Sequence, residues 1–385
     1  MMTHEQIERS ILELRPDMLD LRSIMDEVRR LPEGAARKFA QTGMFRLLTP
    51  RAYNGAELNA LEFFETLSLI AQQNASVAWC AMIASTNGIS AAYMAPEAAS
   101  EIFSSTEVIT GGVFAPRGKA VDMGDYYKVS GRWAWGSGSA NCNWLAGGCT
   151  VWRDEALQKL PDGKPDIRMM FFPVEKAQLH DTWNVMGLRG TGSGDFEVTD
   201  VNVPKTHSVS LISESPIEEG TIYRFPIFGL LALGIAGVAV GNGRAAINEF
   251  QSRALTKQLP DGAVLARKAY IQTAVAELEA DWQSTQAYIR YEVQRLWDMA
   301  TECDEIPIEA RAALRLACTK ATRVNAEICR RVYELGGGDA MFADNHMERY
   351  FRDGYAMTQH IMTGQGSYEM IGRIMLDQPV NISMV

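Results

Sequence analysis

GRWAWGSGSANCNW, residues 131–144, sets Trp133, Trp135 and Trp144 around a Ser-Gly-Ser-Ala-Asn turn. Bulky aromatics in an extended segment usually fill a core, yet this one runs straight into small, hydroxyl-bearing residues. Trp133, Trp135, Ser137 and Ser139 occupy alternate positions, so an extended chain would set them on one face, indole surface first and hydroxyls after. Two core tryptophans followed by a solvated turn would give the same spacing.

The surrounding sequence has the same texture. YYKVSGRWAW, NWLAGGCTVW, IRMMFFPVE and DFEVTDVNVP are short, rich in Val, Thr and aromatics, and separated by turn clusters such as PDGKPD. They predict an antiparallel β domain between about 109 and 205. On the N-terminal side, Ile7, Ile11, Leu14, Met18, Leu21, Met25 and Val28 recur every three or four residues, interrupted at Pro16. LEFFETLSLIAQQ (61–73) repeats the helical pattern after a turn at TPRAYNGAEL (49–58). Beyond about 222, helices return. Ile271, Val275, Leu278, Trp282, Ile289, Val293, Leu296 and Trp297 keep one apolar stripe over roughly 265–300, as a bundle helix does. Another helix, 307–335, is stopped by Gly336-Gly337-Gly338. FPIFGLLALGIAGVAVGNG (225–243) is apolar but holds Pro226 and several glycines, and it falls short of the roughly 20 residues of a comfortable membrane span. It predicts a buried helix. The expected fold is mainly α with a β middle domain, divided at 1–108, 109–210 and 211–385.

Bulk properties narrow the function. The 385 residues are 47% hydrophobic and 22% charged, with a net charge of −10 and no long basic run. That argues against a general nucleic-acid or anionic-membrane surface. Six cysteines without a CxxC pair point to reduced thiols and a cytoplasmic protein. The acidic, amphipathic N-terminus does not read as a signal peptide.

His4, His180, His207, His346 and His360 form no HxH or HExxH, so no metal is expected. Gly136-Ser137-Gly138 and Gly192-Ser193-Gly194 lack the full spacing of a nucleophile elbow. RGTGSG (189–194) is not a dinucleotide fingerprint, and no P-loop is present. What remains is indole surface beside hydroxyls, which suits a flavin: apolar packing on the ring and a hydrogen-bonding group at its edge.

Several motifs then converge. TGMFRLLTPRAYNGAEL, VSGRWAWGSGSANCNWLAGG, VMGLRGTGSGDFEVTDVNVP, ELGGGDAMF and ERYFRD occur in an order that resembles the acyl-CoA dehydrogenase superfamily over nearly the whole chain. The resemblance implies an N-terminal helical domain, a β-barrel-like domain and a C-terminal four-helix bundle, assembled as a homotetramer with flavin held between subunits. Its dehydrogenases use a carboxylate base soon after the Arg-Asp pair. Counting from Asp353, that position falls at Ile361, or at Gln365 or Gly366 when aligned on the downstream glycine; Glu369 is the nearest acid. RDGYAMTQH instead resembles the branch of two-component flavin-dependent monooxygenases, the group D aromatic and heteroatom hydroxylases. The sequence departs from that branch at Gly136, where a second small polar residue is common.

That branch implies an oxygenase component that takes reduced FAD (or FMN) from a separate NAD(P)H-dependent flavin reductase. With O2, through a C4a-hydroperoxide, it would hydroxylate or epoxidise a small aromatic or heteroaromatic such as a phenol or indole. No metal, nucleic acid or membrane takes part. By resemblance Ser137 and His360 are catalytic: Ser137 reaches the flavin edge, and His360 takes a proton from the substrate or accepts a hydrogen bond from it. Trp135, Ser137, Ser139, Thr191, Ser193, Arg253, Gly336, Gly337 and Gly338 would hold the cofactor, Arg253 reaching a neighbouring subunit's pyrophosphate. Trp133, His360 and Ile361 would line the substrate site, and Arg352 and Asp353 would form a structural ion pair. Two alternatives stand beside this reading: an acyl-CoA dehydrogenase or oxidase whose base is displaced to Glu369, and a flavin-binding scaffold without catalysis.

Overall fold

The computed structural model describes residues 2–303, 305–342, 345–382 and 384–385. Its N-terminal part is helical: α1 (His4–Glu13), α2 (Arg15–Val28), α3 (Glu33–Ala40), α4 (Ala60–Gln73), α5 (Ala75–Gly88) and α6 (Pro96–Phe103). Thr3 and Gln6 cap α1 reciprocally. The break at Leu14 follows from Pro16, which opens the second helix, where its missing N–H is harmless. Asn74 separates α4 from α5 and caps the latter through its side-chain oxygen.

Among the described residues eight strands follow: β1 (Thr110–Asp122), β2 (Tyr126–Trp133), β3 (Trp144–Arg153), β4 (Ala156–Leu157), β5 (Ile167–Pro173), β6 (Gln178–His180), β7 (Asp195–Pro204) and β8 (Ser208–Val209). They form one sheet in the order β6-β7-β2-β1-β3-β5-β8, with β4 on β3. The sheet is mixed rather than wholly antiparallel, because β1 pairs parallel with β3. To achieve this the chain leaves β2 and crosses to the opposite edge of β1. Residues 134–143, the stretch around Ser137, make that crossing. Asn143 pins its end, accepting the Ile109 N–H on its side chain (2.9 Å) and donating its own N–H to Ile109 O (2.8 Å).

The rest is helical: α7 (Thr221–Arg224), α8 (Ile227–Thr256), α9 (Ala269–Glu302), α10 (Ile308–Gly336), α11 (His346–Met357) and α12 (Gln365–Met375). α8 is long and apolar enough to cross a membrane, but 89% of its most apolar window is buried inside the fold. It packs on α4 through glycines. A Cβ at Gly237 would lie 2.9 Å from the Phe64 carbonyl oxygen, and one at Gly241 2.2 Å from that of Ser68. Gly241→Ala should therefore push α8 off α4 and cost about 2 kcal/mol despite alanine's higher helix propensity. A denaturant midpoint unchanged from the parent would refute this close packing.

Candidate active site

The site forms where the 134–143 crossing meets α5 and the loop before β7. β2 ends at Trp133, and Trp135 adopts a left-handed backbone (φ 66°), a costly state for a bulky residue. The alternation expected from the sequence therefore breaks. Trp133 is fully buried, stacked on Phe196 with centroids 5.2 Å apart, and its indole N–H donates to Gly148 O (2.8 Å). A Cβ at Gly118 or Gly147 would lie 2.4 Å from this indole, so the glycines make its room. Trp133 is thus packed as a core residue, where the sequence also placed it at a substrate site. Trp135 points the other way and is 65% exposed. Gly136, the departure noted above, has no space for a side chain, since a Cβ there would meet the Phe196 ring at 2.7 Å.

Ser137, Thr191 and Ser193 come together, all buried. The Gly136 and Gly138 N–H groups donate to Gly194 O (2.9 Å) and Thr191 O (2.8 Å), lacing the two loops side by side. Ser137 Oγ lies 2.7 Å from Ser193 Oγ, which lies 2.6 Å from Thr191 Oγ1. Thr191 Oγ1 donates to Leu188 O (2.8 Å), and the Trp79 indole N–H donates to Ser137 Oγ (3.1 Å). Ser139 is buried in the adjacent turn Ser139–Asn141.

No spacing pattern in the sequence marks Trp79. It sits on α5, which is apolar or small on every side and so shows no stripe. A single large, donor-bearing side chain among alanines and serines was the available signal.

Trp79 also meets His360, with ring centroids 5.7 Å apart, edge to face. His360 follows the end of α11, and its Nδ1 accepts the Met362 N–H (3.2 Å). That bond assigns the proton of a neutral ring to Nε2. Burial, and then the nearby Arg315 charge, push this imidazole down to about 4. Arg315 itself is buried. It holds the loop by donating to Met362 O (2.9 Å) and Ser367 Oγ (3.4 Å). At neutral pH His360 is therefore a hydrogen-bond donor, where the sequence reading expected an acceptor. Ile361 is exposed and lines a groove with Met370 and Met384.

Arg352 and Asp353 do not pair with each other. Arg352 bonds Glu348 and Asp26, the latter at 3.0 Å. Asp353 Oδ1 accepts the Leu188 N–H at 2.6 Å, so it anchors the loop that carries Thr191 and Ser193. Burial raises the Asp353 carboxyl to about 6 against the opposing pull of that N–H. Glu369, the displaced-base candidate, is exposed on α12 and bonded to Arg373 (2.9 Å).

Arg253, Gly336, Gly337 and Gly338 form a second cluster. Arg253 bonds Glu249 (2.7 Å), and Lys257 bonds Asp339 (2.8 Å) and Gly336 O (3.4 Å). Gly337 has φ 63°, and both Gly337 and Gly338 have open space where a side chain would begin. The Gly337 N–H is given to Glu334 O, so the open Gly338 backbone beside Arg253 and Lys257 is the part of this cluster that suits a phosphate, which would displace Glu249 and Asp339 from the two cations. One chain does not bring this cluster to Ser137 and His360. Arg315 and Gly336 are 336 − 315 = 21 residues apart on α10, about 32 Å at 1.5 Å per residue. Ser137 with the exposed Trp135, and the glycine cluster, each fit part of a flavin.

Helices, mixed sheet and helices again, with these two part-sites, define an acyl-CoA dehydrogenase-like fold. Residues 233–365 match the acyl-CoA dehydrogenase C-terminal domain family. Indole-3-acetate monooxygenase of Pseudomonas putida is 28% identical over 353 residues, 90% of this chain and 87% of that protein. The oxygenase subunit HsaA, a flavin-dependent monooxygenase of Rhodococcus jostii, is 26% identical over 387 residues, 97% of this chain and 98% of its own. Among solved structures, XiaF from Streptomyces sp. in complex with FADH2 and glycerol superposes with a TM-score of 0.87 at 19% identity, covering 98% of this chain and 96% of that one. Over most of its length the chain is similar to flavin-dependent monooxygenases, and its C-terminal part matches the acyl-CoA dehydrogenase C-terminal domain family.

Proposed function

We propose that the protein is the oxygenase component of a two-component system, acting on a small aromatic or heteroaromatic substrate with reduced flavin delivered by a separate reductase. The observation that carries this reading is the pairing of the buried Ser137 hydroxyl with a neutral His360 across Trp79, with no carboxylate among their described partners. When bound, reduced flavin supplies two electrons and, with O2, the oxygen atom that enters the product while the other leaves as water. Ser137 would meet the flavin edge, and the exposed indole of Trp135 would offer apolar cover to the ring. His360 Nε2–H orients an acceptor atom of the substrate. Trp79 and the apolar face of α5 keep water from both. Arg253 and Gly338 would hold the flavin phosphates, and their separation from Ser137 would require a homo-oligomer in which the ring and the phosphates are held by different copies. The exposed Leu255, Tyr270, Met341 and Phe342 support such a contact.

The test is to mix the protein with chemically reduced FAD, 18O2 and a panel of phenols and indoles, and to weigh the products. Incorporation of one labelled atom is expected. No labelled product here, together with bleaching of protein loaded with oxidised FAD by an acyl-CoA in a separate anaerobic titration, would return the dehydrogenase reading. Arg253→Ala should raise the Kd for FAD on the order of tenfold, through loss of a charge-assisted phosphate contact, and leave that for FMN less affected. Equal losses for both flavins would remove Arg253 from the pyrophosphate.

A further inference from the structure

The hydroxyls of Ser137, Ser193 and Thr191 form a chain whose two ends differ in kind. At one end the Trp79 indole has a proton to give and no lone pair to offer. At the other, Leu188 O has lone pairs and no proton. It accepts from Thr191 Oγ1 (2.8 Å), the Thr191 N–H (3.1 Å) and the Trp183 indole N–H (3.0 Å). A hydroxyl has one proton, so each bond constrains the next. Thr191 spends its proton on Leu188 O, and so must receive from Ser193. Ser193 must then receive from Ser137. Ser137 gives its proton to Ser193 and accepts one from Trp79, which leaves its oxygen a single lone pair. Reversing the order would leave two oxygens, Thr191 Oγ1 and Leu188 O, facing each other 2.8 Å apart with no proton between them.

We propose that this one-way chain makes Ser137 a pure hydrogen-bond acceptor toward the flavin, and that it thereby selects the reduced cofactor. The inference rests on the reading above, in which Ser137 meets the flavin edge. Reduced flavin carries N5–H, a donor, and oxidised flavin carries a bare N5 that can only accept. A serine with its proton tied inward bonds the first and opposes the second. Ser193 and Thr191 act through Ser137 and are positioning residues. Asp353 belongs to the same device, because it fixes Leu188 by accepting its N–H at 2.6 Å.

Thr191→Val removes the group that orders the chain and keeps its shape. Ser193 is then free to donate to Ser137, whose own proton turns outward. Anaerobic titrations with dithionite-reduced FAD and with oxidised FAD measure the ratio of the two affinities. The full-length parent should prefer reduced FAD, and Thr191→Val should lower the preference on the order of tenfold, the worth of one hydrogen bond. Thr191→Ser, which restores the hydroxyl, should keep it. A ratio unchanged in Thr191→Val, or a parent that binds both forms equally, overturns the inference and leaves the monooxygenase reading standing. A parent that binds neither form overturns both. Should Thr191→Val fail to fold, the 15N resonance of N5 in labelled reduced flavin decides on the parent and Ser137→Ala. A hydrogen-bonded shift lost in Ser137→Ala supports the inference, and a shift identical in both proteins sinks it.

Discussion

Replacement of His360 by alanine is expected to lower hydroxylation about a hundredfold, the effect of letting a bound substrate slip from its reacting position, while reduced FAD still binds. Oxygen consumption continues in the variant and appears as hydrogen peroxide, because the substrate is no longer held where the oxygen is delivered. Product and peroxide are measured together: unimpaired product would exclude His360, and loss of both would place its role in flavin binding. The pH dependence sharpens the assignment. The imidazole is pushed down to about 4 by burial and by Arg315, so the neutral donor persists above that value. The rate should show no limb near pH 6.5 arising from this group. A limb there that vanishes in His360→Gln would restore the proton-acceptor role.

The largest stability effect is expected at Asp353. Asp353→Ala leaves the Leu188 N–H without its buried acceptor, beside Arg349, whose Nη1 already lacks a partner among the described residues. The loss should be about 3 kcal/mol, read from the denaturant midpoint, whereas Asp353→Asn keeps an acceptor and should lose far less. The sign with pH is specific. Burial holds the Asp353 carboxyl at about 6, above its ordinary 3.8, so the native state keeps this proton longer than the unfolded chain. Its contribution to stability therefore declines as pH rises from about 4 to 6. His360 works oppositely: its depressed value makes stability decline as pH falls from about 6.5 toward 4. Asp353→Asn should remove the first slope and spare the second. Identical pH profiles in parent and Asn variant would show that the carboxyl titrates normally.

The long helices were legible because their burial is one-sided. The stripe from Ile271 to Trp297 needed no tertiary knowledge, and α9 and α10 begin and end within a few residues of the expected positions. The sheet was less so. The β1·β3 pairing is parallel, and nothing local in either strand records it; β1, with Gly111, Gly112 and Pro116, was not singled out at all. Trp135 misled through a rule that holds for extended chains, since one left-handed residue sends the two indoles to opposite sides. The hydroxyls of Ser137, Thr191 and Ser193 stand in separate motifs; their mutual bonding depends on two loops meeting, which spacing cannot convey. The state of His360 was hidden for a similar reason. Its environment is made by Trp79 and Arg315, 281 residues before it and 45 before it in the chain (360 − 79 and 360 − 315).

The burial of α8 has a consequence for synthesis. The helix emerges from the ribosome after α4, against which its glycines fit, but α10, its other wall, begins 308 − 256 = 52 residues later. Until those residues are made, one flank of a membrane-grade apolar rod is bare. Chains cut or stalled between 257 and 307 should therefore bind chaperones or aggregate, and the finished chain should not.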